Sequence, residues 1–254
     1  MEQQFPAGAC AVVVGATGDF GQAIVRRLLR SGLEVIAVAR SAGSLAKLQQ
    51  SHPGLRVCQA DLSNDSAIEA IRQALPGEVR MVVHGPGVPV AGGIIDADTG
   101  ALLEAVNIKV LGMIRLVRAV DAQLRPHSRL VAIGGHYGLE PTAYAASAGI
   151  ANAAMVSLQR QLSLAYGARG VTAHLIAPGP AETERLRKVA ATRAAQRGIG
   201  IEEVLEEMRA ESSLGAFVTP EQVAWAVELL LAPEADAMTG STLMLDAGRR
   251  RGLP

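Results

Sequence analysis

The chain is poor in several things at once. Its 254 residues include two cysteines, seven aromatics and three lysines, and its charges cancel, with 24 basic against 24 acidic side chains. Cys10 and Cys58 are too few for a disulfide framework and read as buried small hydrophobes in a reducing, cytoplasmic setting. Zero net charge supplies no general attraction to nucleic acid or to an anionic membrane. No apolar run approaches the ~20 residues that cross a bilayer. Met1 to Phe5 lack the basic-then-apolar order of a secretion signal. No spacing of His, Cys and carboxylates suggests a metal site. With 49% hydrophobic and 19% charged residues, disorder is excluded. No repeat or Pro/Gly/Ser-rich linker divides the chain, so one domain over residues 1–254 is expected.

What is present is an alternation. Short apolar runs at Ala9–Val14, Glu34–Ala39, Leu55–Cys58, Val79–Val83, Arg129–Ile133, Val171–Ile176 and Thr242–Leu245 read as strands. Between them, amphipathic stretches at Gly21–Arg30, Ser66–Leu75, Ala101–Gln123, Ala143–Ala165 and Pro220–Leu231 read as helices. Strands nearly continuous in Val, Ile and Leu, separated by helices, imply an α/β fold: a doubly wound, Rossmann-like parallel sheet covered on both faces.

The first strand runs into Gly15-Ala16-Thr17-Gly18-Asp19-Phe20-Gly21, and a helix follows. Gly15 permits the tight turn, Gly18 lets backbone approach a pyrophosphate, and Gly21 lets the helix pack closely on the strand. The context, first strand before and helix after, makes this a dinucleotide signal. The second strand ends in Ala39-Arg40-Ser41. An NAD site places an acid here for the ribose 2′-hydroxyl, whereas Arg40 suits a 2′-phosphate, so NADPH is expected over NADH.

With these signals in order, the chain resembles the short-chain dehydrogenase/reductase family over nearly its full length. Asp61-Leu62 matches the adenine-contacting position, and His84-Gly85-Pro86-Gly87 stands where the family has Asn-Asn-Ala-Gly. Asn107 falls at the helix asparagine that supports a relay water. Tyr144-Ala145-Ala146-Ser147-Ala148 is the counterpart of Tyr-x-x-x-Lys, and Pro178-Gly179-Pro180-Ala181-Glu182-Thr183 that of Pro-Gly-x-x-x-Thr at the nicotinamide. The resemblance implies a small-molecule carbonyl substrate, a homodimer or homotetramer formed through the small-residue helix after Tyr144, and a variable substrate lid over residues 184–215.

Two departures stand against the matches. Ala148 occupies the lysine position, and Ile133-Gly134-Gly135 stands where Ile-Ser-Ser is usual. In the family the tyrosine exchanges a proton with the substrate oxygen, the lysine lowers its pKa, and the serine orients the carbonyl. Losing a cation that lowers a tyrosine by roughly 1–3 units costs about 1.4–4 kcal/mol of tyrosinate population, so surviving chemistry should lean toward reduction. Lys109 lies two residues past Asn107, about 200° round an α-helix; if Asn107 faces the site, Lys109 faces away. His136 is a candidate substrate-polarising group and Tyr137 a pocket wall. Two function classes stay open: an NADP(H)-dependent carbonyl reductase with Tyr144 as proton donor, and a dinucleotide-binding relative without redox turnover.

Overall fold

The computed structural model describes residues 5, 8–88 and 92–252. Residues 1–4, within the stretch read for a leader, lie outside the described part. Seven strands pair in the order β3-β2-β1-β4-β5-β6-β7, every neighbouring pair parallel. They are β1 (Cys10–Val14), β2 (Glu34–Ala39), β3 (Arg56–Gln59), β4 (Val79–His84), β5 (Leu124–Ile133), β6 (Thr172–Pro178) and β7 (Thr242–Leu245). Each expected strand is found. β4 runs one residue further than expected, and β5 begins five residues early, where the Ser128 hydroxyl bonds both the Arg125 amide and the Val79 carbonyl.

Side chains alternate between the two faces of the sheet, so each face carries its own core. Ala11 and Val13 of β1 point to one face, with Ile24, Val25 and Leu28 of α1 (Asp19–Arg30), Leu45 and Leu48 of α2 (Ala42–Ser51), and Val223 and Val227 of α9 (Pro220–Leu229). Val12 and Val14 point to the other. They meet Ile71 of α3 (Ser66–Ala74), Met113 and Leu116 of α5 (Gly112–Val120), and Met155 and Leu162 of α6 (Ala146–Tyr166). Each fully buried aliphatic side chain contributes roughly 1.5–3 kcal/mol. Residues 101–123, read as one helix, are instead α4 (Thr99–Val106), a π-helical turn (Asn107–Leu111), α5 and a short 3₁₀ turn.

The largest fully buried side chain is a charged one. Arg129 is fully buried, donates to the Leu230 and Ala232 carbonyls, and pairs with Asp236 at 2.7 Å. It ties β5 to the end of α9. Above the carboxyl edge of the sheet, α7 (Glu184–Arg197) and α8 (Ile201–Ala210) share a small core of Leu186, Ala190, Val204, Met208 and Phe217. This is the segment expected to form a lid. Among the described residues, no helix is long and apolar enough to cross a membrane, and no group of three His, Cys, Asp or Glu could hold a metal. Both cysteines are free and buried.

Candidate functional site

The loops that carry the motifs all leave the carboxyl ends of strands, where ligands bind in open α/β sheets. β1 delivers Gly15 with φ +79, a left-handed conformation that glycine adopts freely. A Cβ at Gly21 would stand 2.1 Å from the Gly15 carbonyl oxygen, so α1 packs directly on the turn. Gly18 begins α1 without any side-chain cap. The first amides of the helix are therefore open to an anion. Beside them runs a groove of about 550 Å³ lined by Gly15, Thr17, Gly18, Arg40, Asp61, Leu62 and Gly85, Pro86 and Gly87.

Three residues expected on this groove are elsewhere. His84 is the last residue of β4 rather than a loop residue. Its ring is fully buried, bonds the Ile108 carbonyl at 3.0 Å and packs against Gly112. Burial, and then the charge of Lys109, hold it neutral, with a pKa down to about 3. Asp19 turns toward the start of α7 and accepts from the Glu184 amide at 3.2 Å. Phe20 lines a second cavity instead.

That second cavity, about 460 Å³, lies between the ends of β5 and β6 and α7. Pro178, Gly179 and Thr183 line it, with Gly135, His136, Tyr137, Tyr144 and Ala148. Thr183 also caps α7, accepting from the Leu186 amide. Tyr144 sits in the turn before α6, not inside the helix, because α6 starts only at Ala146. Its hydroxyl lies 2.9 Å from that of Tyr137. The guanidinium of Arg193, on α7, stacks 4.1 Å from the centre of its ring.

These neighbours decide the acidity of the pair. Burial pushes Tyr144 up, but hydrogen bonds from Tyr137, Arg193 and Arg249 and the charge of Arg193 outweigh it, and Tyr144 settles below the usual tyrosine value. Tyr137 goes the other way, to about 12, through burial and its bond to Tyr144. Of the two hydroxyls Tyr144 is therefore the more acidic, and Tyr137 keeps its proton to higher pH. With Ala148 at the lysine position, the cation beside this tyrosine is Arg193 of α7.

Asn107 and Lys109 do lie on opposite faces of their helix, but with the roles exchanged. Asn107 donates to the Ser63 carbonyl at 3.2 Å and accepts from Arg115 at 2.9 Å, outside the cavity. Arg115, anchored by Asp65 and the Leu62 carbonyl, holds it there. Lys109 points inward, 5% exposed, and donates to the Ile133 carbonyl at 2.8 Å. Burial, and then the charge of Arg185, lower its pKa to about 7. The π turn, which closes hydrogen bonds from i to i+5, displaces the phase an α-helix would impose.

His136 also differs from expectation. Buried at 5% exposure, its ring bonds the Pro178 backbone, which leaves Nε2 without a partner. Burial, then Arg249, hold its pKa near 4, so the ring is neutral at pH 7. Its single proton is committed to Pro178, and Nε2 can accept but not donate. A residue that sequence reasoning missed lies beside it. Asn152, two turns beyond Tyr144 and 5% exposed, lines the cavity, and a Cβ on Gly135 would stand 2.9 Å from its Nδ2. Its Oδ1 is buried without a partner. The space beside Gly135 is thus filled by an amide.

The comparisons bear on the family and the fold. A family model described as Enoyl-(Acyl carrier protein) reductase matches residues 15–250. The chain is 26% identical over 259 residues to a short-chain type dehydrogenase/reductase of Sinorhizobium fredii, covering 97% of this chain but 44% of that longer one. It is 26% identical to the 3-oxoacyl-(acyl-carrier-protein) reductase of Escherichia coli, covering 95% of this chain and 97% of the relative. An actinorhodin polyketide ketoreductase solved with NADPH superposes with a TM-score of 0.86 at 25% identity, covering 95% and 97% of the two chains. The glycine turn, the tyrosine at the mouth of α6 and the match over residues 15–250 place the chain in the short-chain dehydrogenase/reductase family of oxidoreductases.

Proposed function

We propose that the protein is an NADP(H)-dependent carbonyl reductase in which Tyr144 gives the proton, and that its partners in the site are not the usual ones. The observation that carries this reading is the Tyr137–Tyr144–Arg193 arrangement: a phenol of lowered pKa, a second phenol hydrogen-bonded to it, and a cation on its ring. Such a group both donates a proton and tolerates the resulting charge.

The groove fits a dinucleotide. The open amides of α1 and the backbone of Gly15 and Gly18 suit a pyrophosphate, Asp61-Leu62 an adenine, and the exposed Arg40 a 2′-phosphate. When bound, the nicotinamide would supply hydride to the carbonyl carbon. Tyr144 passes its proton to the carbonyl oxygen and is left as tyrosinate, held by Arg193 and by the hydrogen bond from Tyr137. Asn152 takes the place of a hydroxyl beside Gly135. Its amide offers a donor to a carbonyl oxygen and an acceptor to the alcohol formed. The exposed Leu103 of α4 and Ile150 and Leu164 of α6 support pairing of copies through these helices, which sedimentation would detect as a dimer or larger.

The deciding experiment is Tyr144→Phe. Ketone-dependent NADPH oxidation is expected to fall at least 100-fold while the dissociation constant for NADPH stays within about twofold. Unchanged turnover would remove Tyr144 as the acid. Absence of turnover with every ketone in the parent protein would favour a binding role without redox chemistry.

A further inference from the structure

We infer that the substrate is an anionic carbonyl compound, a keto acid whose carboxylate is held by Lys109 and Arg193. The inference rests on the reductase reading of the same cavity, and it adds the chemical class.

The cavity is lined by three cationic side chains, Lys109, Arg185 and Arg193, and by no Asp or Glu. The chain as a whole is neutral, so this charge is local and not a matter of composition. Among the described residues, none of the three forms an ion pair within the cavity: Lys109 donates to a backbone carbonyl, and Arg193 lies on an aromatic ring. Elsewhere the arginines are largely matched, as in Arg129 with Asp236 or Arg197 with Glu207. A buried ammonium without a counter-charge is costly, and a ligand anion is what offsets it.

The groups facing Lys109 strengthen the point. His84 on β4 is held neutral and lends no negative charge. Arg185 on α7 repels it. The same cavity is lined by neutral His136, by the two phenols and by Arg193. The ammonium uses one of its three protons on Ile133, which leaves two for a ligand. A carboxylate beside the reacting carbonyl would meet Lys109 and Arg193 while its ketone oxygen stood near Tyr144 and Asn152.

The pH behaviour follows in sign. Lys109 is cationic below about 7 and neutral above it. Carboxylate affinity should therefore fall between pH 6 and pH 8, and binding at pH 7 should take up protons.

The test has two arms on the NADPH-loaded protein. In the first, propionate and propionamide are titrated at pH 6.5 and followed by cofactor fluorescence. Propionate is expected to bind at least tenfold more tightly, and Lys109→Met and Arg193→Met should each remove most of that difference. In the second, acetoacetate and methyl acetoacetate are compared as substrates. The acid is expected to show at least a tenfold higher kcat/KM, with the ratio collapsing toward one in either variant. Equal binding of propionate and propionamide, or an ester reduced as well as the acid, would overturn the inference while leaving the reductase reading in place. Selective propionate binding without turnover of either ketone would support the anion site and count against the reductase reading.

Discussion

Placing a serine at position 135 restores the residue type usual in the family, yet the structure argues that it will not fit. Gly135 has φ 177, extended backbone that any residue adopts, so the obstacle is volume alone. The new Cβ would stand 2.9 Å from Asn152 Nδ2. The Gly138 backbone packs on the Asn152 backbone and Cβ, where an added Cβ at Gly138 would stand 2.8 Å from Asn152 Cβ, so Asn152 yields only by turning its amide about its own side-chain bonds. Overpacking of this kind costs roughly 1–3 kcal/mol. For a chain of this size that corresponds to a fall in Tm of about 2–4 °C per kcal/mol. Asn152→Ala removes the obstacle along with an acceptor that has no partner, so its own stability cost should be near 1 kcal/mol. In Gly135→Ser/Asn152→Ala the hydroxyl gains its room, and the double-mutant cycle should show about 1–2 kcal/mol of favourable coupling. Chemical denaturation of the four proteins measures the cycle, and ketone reduction by the same set reads the chemistry. Asn152→Ala alone should slow reduction by 10-fold or more, and the double variant should recover part of it. If Gly135→Ser melts with the parent, or if the two changes simply add, Asn152 does not fill the serine's space and its assignment beside the carbonyl fails.

Arg193→Met should raise the pKa of Tyr144. Alcohol oxidation, which needs tyrosinate, should then shift its alkaline midpoint upward, while Arg193→Lys holds it; superimposable profiles would refute the role given to Arg193. Arg40→Ala should abolish most of the preference for NADPH over NADH in dissociation constants at low salt, and a parent protein that binds both equally would sink the assignment. Asp236→Asn leaves the buried Arg129 guanidinium without its counter-charge and should cost about 2–3 kcal/mol in denaturant, somewhat below a fully buried pair because Asp236 is part-exposed. A loss under 0.5 kcal/mol would mean that the carbonyls of Leu230 and Ala232 suffice.

Local chemistry made some parts of the molecule readable and left others hidden. The order of strands and helices follows from hydrophobic period, and the phosphate turn from three glycines between a strand and a helix. Tyr144 could be found because its neighbours in the chain carry the pattern. Lys109 could not, since its direction depends on the phase of a helix, and a π turn over Asn107–Leu111 displaces that phase. His84 looked like a loop residue because nothing in the chain marks where β4 stops. Arg193 and Asn152 come from α7 and α6, and only tertiary packing brings them to Tyr144 and Gly135. The only mark of Arg193 in the chain is compositional, in the run of arginines along α7.

The location of that cation has a consequence for selectivity. Arg193 belongs to the helix that walls the cavity, whereas the phenol it acidifies belongs to the turn before α6. Under the proposed function, acid strength and fit would therefore be coupled through α7. A ligand that lets α7 settle keeps the guanidinium on the ring; a ligand too bulky for the cavity holds the helix off and meets a phenol of ordinary acidity. Such an enzyme would discriminate among ketones mainly through kcat, admitting a misfit but protonating it slowly. Swapping the arginine-bearing wall would retune rate and preference together, without any change to the sheet or to the tyrosine.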